Sequence, residues 1–165
     1  MLNSVIFLDI DGVLCINGKF QASSFSYLEK VVKKSNSKVV LSSNWRNDSY
    51  HKKKIELELK KYNIEIYDVT PNFCDKRPLE ILFWCFINNP RRYIIIDDRN
   101  LSREFIQLKI SGRNTFNSVY SKIYNINNLL IQDVSLITKH MLRTDVKTGL
   151  NEIHNIYIKK ILKFQ

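Results

Sequence analysis

The sequence lacks an uncharged apolar run long enough to cross a lipid bilayer, and residues 1–4 lead into the first apolar stretch without the basic segment of a secretory signal. Cysteine is also scarce. The three cysteines, Cys15, Cys74 and Cys85, show no C-x-x-C spacing and lie among apolar or aromatic neighbours. These absences argue against a transmembrane helix and a disulfide scaffold, and we expect an unexported cytoplasmic protein in a reducing compartment.

The sequence has few acidic residues: it contains 16 aspartates and glutamates and 26 lysines and arginines, which gives a formal charge of +10. Such an excess favours approach to polyanions such as RNA or DNA. The basic residues occur in short runs that are equally typical of solvated helix faces. The abundance of Ile, Lys and Asn also fits an AT-rich coding bias. The charge is therefore compatible with a nucleic-acid partner without identifying one.

The length of 165 residues and a hydrophobic content of 44% suffice for one sizeable core but not for two ordinary domains. We therefore expect a single domain over residues 1–165. No internal repeat is recognisable. From about residue 112 to residue 138 the pattern assigns neither helix nor strand, although the segment is too apolar for a disordered linker.

Short apolar runs alternate with amphipathic segments along the chain. The pattern predicts strands at residues 5–8, 38–41, 64–67 and 93–96, and helices at about residues 23–34, 48–62 and from residue 78 onward. Ser26 and Glu29 have capping-box spacing in the first of these helices. Strands alternating with helices favour an α/β fold with a parallel sheet, and ligands in such sheets bind at the carboxyl ends of the strands.

Two pairs of aspartates follow predicted strands. Asp9 and Asp11 come after the first strand, and Asp97 and Asp98 come after the strand at residues 93–96. Carboxylates this close repel each other unless a cation or a proton lies between them, and Mg²⁺ prefers oxygen ligands. The four aspartates are therefore candidate Mg²⁺ ligands, although such pairs also occur as simple turns or caps.

Polar residues with affinity for phosphate lie between the two acidic pairs. The Ser42 hydroxyl and the groups of Ser43 and Asn44, after the second strand, are candidates to hold phosphate oxygens. Arg77 or Lys76 would neutralise charge that develops on a transferred group. A loop signal and ordinary surface residues are the alternative interpretations. The order along the chain, acid pair, hydroxyl, base and acid pair, is more informative than any single residue.

The string FLDIDGVL at residues 7–14 resembles the first motif of phosphatases of the haloacid dehalogenase (HAD) superfamily. By that resemblance Asp9 is the nucleophile and Asp11 is the general acid and base. The string VVLS at residues 39–42 is similar to the second motif, whose hydroxyl binds phosphate, and IIIDD at residues 94–98 is similar to the fourth motif, which binds magnesium. The resemblance implies a Rossmann-like, three-layer α/β/α sandwich with a mostly parallel central sheet.

Three further strings resemble a small HAD subgroup, the domains of composite RNA-repair proteins. They are LSSNWR at residues 41–46, RPLEI at residues 77–81 and TDVKTGL at residues 144–150. The second string favours Arg77 as the base of the third motif. The stretch between Asp98 and Thr144 is longer than the subgroup pattern.

The intervals in which HAD enzymes carry a cap domain are short in this sequence, so we expect no large cap. Open HAD sites commonly accept large substrates, which is an argument from family analogy. Trp45 and Arg46 are candidates to stack on or pair with a nucleotide, and a packed tryptophan at a helix start is the alternative for Trp45.

The sequence thus predicts a Mg²⁺-dependent phosphomonoester hydrolase that forms an aspartyl-phosphate on Asp9 and acts on RNA or DNA phosphate ends, without a membrane partner. One alternative is a phosphatase for nucleotides or sugar phosphates. Another is a non-catalytic, basic module that binds nucleic acid or protein on a HAD core.

Overall fold

The computed structural model describes residues 2–111 and 137–164 of the chain. The strands are β1 (Val5–Leu8), β2 (Cys15–Ile16), β3 (Lys19–Phe20), β4 (Lys38–Leu41), β5 (Ile66–Val69), β6 (Tyr93–Asp97) and β7 (Met141–Arg143). The helices are α1 (Ala22–Ser35), α2 (Ser49–Lys60), α3 (Arg77–Asn88), α4 (Leu101–Ser111) and α5 (Asn155–Leu162), with 3₁₀ turns at Asn44–Asn47 and Glu152–His154. Most of the segment without a sequence assignment lies outside the described residues.

The central sheet has the strand order β5-β4-β1-β6-β7, and every neighbouring pair is parallel. The predicted parallel sheet is therefore confirmed. The strand expected at residues 64–67 begins at Ile66 instead. The Ile64 N–H donates to the Leu59 carbonyl, so its backbone closes the turn after α2 and does not join the sheet.

Helices cover both faces of the sheet. Because strand side chains alternate between faces, Ile6 and Leu8 pack with α1, α2 and α5, whereas Val5 and Phe7 pack with α3 and α4. Both clusters are buried, and this explains why the central strands are almost continuously apolar. The expected three-layer α/β/α architecture is confirmed.

No cap domain is inserted in either of the two intervals in which one was considered. Residues 12–37 contain only the β2–β3 hairpin and α1, and residues 70–92 contain only α3. The hairpin turns at Asn17 and Gly18, whose positive φ angles of 49° and 73° are typical of a two-residue hairpin turn. The carboxyl edge of the sheet is thus bordered by a small flap.

The first helix begins one residue earlier than its sequence pattern indicates. Gln21 is the N-cap of α1 and its side chain makes no capping hydrogen bond. Ser26 and Glu29 lie inside the helix, so the predicted capping box is wrong. Among the described residues, no helix combines the length and the apolar character needed to cross a membrane.

Candidate active site

The candidate site lies at the carboxyl edge of the three central strands. Asp9 follows β1, Ser42 follows β4 and Asp97 ends β6. The parallel register aligns these strand ends, because the Asp9 N–H donates to the Ile96 carbonyl at 3.0 Å and the Ser42 N–H donates to the Leu8 carbonyl at 2.9 Å. The structure therefore brings together polar residues that are far apart in the sequence.

Three carboxylates converge at this edge. Asp9, Asp97 and Asp98 each offer an oxygen atom within 4.8 Å of the others, and Asp9 and Asp97 are 3% and 0% exposed. Arg77, the first residue of α3, reaches across the edge. Its Nη1 lies 3.0 Å from Asp9 Oδ2 and 2.8 Å from Asp97 Oδ2. One guanidinium thus contacts two of the three carboxylates, which leaves an excess of negative charge.

The electrostatics of the cluster favour an additional cation. Burial raises the pKa of the Asp9 carboxyl, and burial together with the charge of Asp9 raises the pKa of Asp97 to about 7. Arg99 does not relieve this excess, because its guanidinium donates to Asp75 and Glu104. Three oxygen donors with uncompensated negative charge fit a hard divalent ion such as Mg²⁺.

Asp11 lies outside this group of three carboxylates. Its side chain is exposed, and its Oδ2 accepts a hydrogen bond of 2.8 Å from the indole Nε1 of Trp45. Trp45 belongs to the 3₁₀ turn that follows the Ser42 loop. The second acid of the first motif is therefore held at the margin of the site by a side chain of the LSSNWR string.

Two buried donors at the site have no hydrogen-bond partner among the described residues, the Ser42 hydroxyl and the Arg77 Nε. Buried polar groups are normally paired, so unpaired donors in a polar cleft are available to a ligand. The neighbouring Ser43 is also buried, and its hydroxyl donates to the Asp9 carboxylate. A phosphate group placed beside Asp9 would supply acceptors for both unpaired donors.

The other candidate phosphate-binding residues are Asn44 and Lys76. Asn44 is exposed and its side chain bonds to the Asp75 carboxylate. Lys76 is the half-buried N-cap residue of α3, directly before Arg77. Neither residue belongs to the carboxylate cluster.

Arg46 is buried, and its guanidinium is saturated by protein acceptors. It donates to the carbonyls of Ser42 and Ser43 at 2.8 Å each, and to Glu80 Oε2 at 2.6 Å. Its remaining N–H groups donate to the carbonyls of Thr70 and Pro71. All five guanidinium N–H groups are therefore engaged, and none is left for a phosphate.

The TDVKTGL string at residues 144–150 forms hydrogen bonds with the backbone of the first motif. Thr144 Oγ1 donates to the Gly12 carbonyl at 2.8 Å, and the Thr144 N–H donates to the Asp97 carbonyl at 3.0 Å. Leu150 N–H donates to the Val13 carbonyl at 2.9 Å. The string therefore ties the loop that carries Asp11 to the end of β6.

Gly12 provides a test of the carboxylate cluster. A Cβ at this position would lie 2.5 Å from Asp98 Oδ2, and the backbone has a φ of +72°. If the three carboxylates hold a divalent cation, we expect Gly12→Ala to displace the Asp98 carboxylate and to weaken the binding of added Mg²⁺ about tenfold or more, as measured by titration calorimetry.

Gly18→Ala is the matched control for Gly12→Ala. Its φ is +73°, but nothing lies within 4 Å of the added Cβ. Both substitutions are expected to lower the free energy of unfolding by about 1 kcal/mol or more through backbone strain. Equal Mg²⁺ affinities of the two variants would contradict the role assigned to Asp98.

Sequence reasoning missed the functions of several buried residues. Glu80 is fully buried, and it accepts from Arg46 and from the Phe73 N–H at 2.7 Å. The strings at residues 41–46, 77–81 and 144–150 contained Arg46, Glu80 and Thr144, but a string does not reveal which acceptor a side chain meets. These residues are buried, and a single sequence carries no signal that shows which polar residues are buried.

Comparison with known families agrees with this geometry. A family model described as "HAD domain in Swiss Army Knife RNA repair proteins" matches residues 5–114, about two thirds of the 165-residue chain. The matched region includes the three clustered carboxylates, Ser42 and Arg77, but not Thr144. No curated protein sequence and no solved structure matches the chain.

Proposed function

The chain belongs to the family of HAD domains in Swiss Army Knife RNA repair proteins, and from this premise we propose that it is a Mg²⁺-dependent phosphomonoester hydrolase acting through an aspartyl-phosphate on polynucleotide ends. Membership supports phosphatase-type hydrolase activity at the level of the superfamily. The observation that carries the proposal is the buried group of Asp9, Asp97 and Arg77 beside the unpaired Ser42 hydroxyl.

In the proposed reaction Asp9 is the nucleophile. A carboxylate oxygen of Asp9 attacks phosphorus, the bond to the leaving oxygen breaks, and Asp11 donates a proton to that oxygen. Asp11 then removes a proton from water, which attacks the phosphorus of the acyl phosphate and releases inorganic phosphate. The hydrogen bond from Trp45 supports this assignment, because it holds the exposed Asp11 side chain in one orientation.

Fixed positive charge and oriented donors would stabilise the transferred phosphoryl group. Arg77 is anchored on Asp9 and Asp97, so its charge is held in place before substrate binds. The Ser42 hydroxyl and the groups of Ser43 and Asn44 would accept the phosphate at the end of β4. Asp9, Asp97 and Asp98 would hold Mg²⁺, which supplies positive charge against the phosphoryl oxygens.

The basic residues near the cleft receive separate tasks in this proposal. Arg77 is the positively charged residue of the third motif, because its guanidinium contacts the proposed nucleophile, Asp9, directly. Lys76 serves as a more peripheral phosphate contact. Arg46 is assigned to holding the Ser42 loop, since its N–H groups are already used.

Two features support a polynucleotide end as substrate. The cleft is open in the two intervals where a cap would lie, and the formal charge is +10. An excess of positive charge on the chain and an open site favour a polyanion over a small phosphate ester. The three cysteines are free, which agrees with a reducing, cytoplasmic setting.

Salt dependence tests the substrate. We expect kcat/KM for a 3′- or 5′-phosphorylated oligonucleotide to fall about tenfold between about 50 and 200 mM salt, as two to three phosphate contacts are screened. Phosphate release from mononucleotides should change by about threefold or less, because a single phosphate makes fewer such contacts. Free phosphate is measured in both cases with Mg²⁺ present.

A second arm of this experiment replaces Mg²⁺ with excess EDTA, which should abolish turnover until Mg²⁺ is restored. A salt-insensitive preference for mononucleotides or sugar phosphates would show the small-molecule alternative to be correct. Absence of turnover on every substrate would favour the non-catalytic module.

A further inference from the structure

Aromatic side chains gather beside Asp11, on the flap and at the start of α2. We call Phe20, Trp45, Tyr50 and His51 the aromatic patch. The ring centroids of Phe20 and Trp45 are 5.8 Å apart, those of Trp45 and His51 are 5.0 Å apart, and those of Tyr50 and His51 are 5.4 Å apart. The patch is thus a continuous series of ring contacts and not a set of isolated residues.

The aromatic patch is accessible to solvent. Tyr50 is 69% exposed, the His51 side chain is 47% exposed, and Phe20 and Trp45 are half-buried. Asp48 anchors the patch, because its carboxylate lies 2.7 Å from His51 Nδ1 and caps α2. A preformed aromatic surface with one well-exposed tyrosine is typical of a site that accepts another flat ring.

A cation lies directly over the aromatic patch. Lys54 Nζ is 5.3 Å from the ring centroid of Phe20 and 5.7 Å from that of Trp45. The side chain of Lys54 is exposed, so its ammonium group remains available to an anion. Ring surface next to a lysine is the combination that single-stranded nucleic acids bind, through base stacking and phosphate contacts.

The position of the patch relates it to the leaving group. Trp45 belongs to the patch and also donates its indole N–H to Asp11. In the proposed reaction Asp11 protonates the leaving oxygen, so the leaving group must lie on the side of the cleft that Asp11 occupies. The patch therefore borders the space into which the remainder of the substrate extends.

We propose that the aromatic patch is a subsite for the nucleobase of the phosphorylated terminal nucleotide, with Lys54 contacting the next phosphate of the strand. This inference rests on the proposed function. Stacking on such a surface is tolerant of base identity, because every base has a π face. The subsite would distinguish a polynucleotide end from a phosphate ester that lacks a base.

The test combines a change in the substrate with a change in the protein. Two oligonucleotides are compared that differ only in whether the phosphorylated terminal nucleotide carries its base or is abasic. For the wild type, we expect removal of the base to raise KM about tenfold while kcat changes less than about twofold. For Tyr50→Ala, KM for the base-bearing end should rise several-fold, and removal of the base should then have a much smaller effect.

Matched control variants separate the patch from general surface effects. Tyr67 is also an exposed tyrosine, at 50%, but it lies on the edge strand β5, and Tyr67→Ala should leave the base preference intact. For Lys54→Gln, the slope of log kcat/KM for the oligonucleotide against log salt concentration should become shallower by the contribution of about one phosphate contact. Lys53→Gln removes the same charge from the neighbouring position of α2 and should change that steepness much less.

Each outcome has a distinct meaning. If the wild type hydrolyses both oligonucleotides with equal KM, the subsite is wrong while the phosphatase assignment stands. If Tyr50→Ala and Tyr67→Ala have the same effect on the preference for the base-bearing over the abasic end, the aromatic patch is not the surface on which the base stacks. If the wild type releases phosphate from no substrate, the proposed function fails and the subsite fails with it.

Discussion

Replacement of Asp9 by asparagine is expected to lower kcat by about 10,000-fold or more, because the variant lacks the carboxylate that is the nucleophile of the proposed reaction. The fold should survive. Asparagine has nearly the same shape, Arg77 retains its 2.8 Å contact with Asp97, and one buried carboxylate is removed from a cluster that is rich in negative charge. Phosphate release is measured at saturating Mg²⁺, and thermal unfolding is followed in parallel.

Asp68→Asn is the control for this substitution. Asp68 lies on β5, where it accepts a hydrogen bond from the Trp84 indole, and it does not belong to the carboxylate cluster. We expect its kcat to remain within about twofold of the wild type. Substantial turnover by Asp9→Asn would refute the assignment of the nucleophile.

The proposed covalent intermediate can be tested separately on the wild type. Hydroxylamine attacks acyl phosphates much faster than phosphomonoesters, so quenching during turnover should leave a hydroxamate on Asp9 that mass spectrometry detects. Its absence under conditions of rapid turnover would indicate direct attack by water.

Substitution of Arg46 by alanine is expected to lower the free energy of unfolding by about 3–5 kcal/mol. The Arg46 and Glu80 side chains are 1% and 0% exposed, and Arg46 Nη2 lies 2.6 Å from Glu80 Oε2. Removal of the guanidinium leaves the Glu80 carboxylate buried without its counter-charge and removes donors from four backbone carbonyls. Urea unfolding followed by circular dichroism measures the change.

Arg46→Lys and Arg103→Ala complete this experiment. Lysine keeps the positive charge but cannot reproduce the five-donor geometry, so an intermediate loss is expected and a folded protein remains for assay. Arg103 is exposed, and its replacement should change stability by less than about 0.5 kcal/mol. A loss below about 1 kcal/mol for Arg46→Ala would contradict the central role given to the pair.

The carboxylate cluster was accessible to sequence reasoning for a simple physical reason. Buried parallel strands are apolar throughout, so an aspartate that interrupts such a run marks the strand end. Parallel strands place their carboxyl ends at one edge of the sheet, and this relation allowed Asp9, Ser42 and Asp97 to be grouped before the strand order was known. The structure agrees with that grouping.

The task of Arg46 was not accessible in the same way. Its acceptors include the carbonyls of Thr70 and Pro71 and the carboxylate of Glu80, which are 24 to 34 positions away in the sequence. Whether an arginine near a phosphate loop faces substrate or backbone depends on which strand lies beside β4, and periodicity does not determine strand order. Asp11 illustrates the same point, because its partner Trp45 is 34 positions away.

The sequence by itself determined the α/β class, the strand ends and the chemistry of the groups at those ends, because these properties depend on local periodicity and on residue type. Only the tertiary structure decided which charged residues are saturated by the protein and which remain available to a ligand. That distinction depends on packing between distant segments: it engages every donor of Arg46, leaves the Ser42 hydroxyl unpaired, and exposes the aromatic patch beside Asp11.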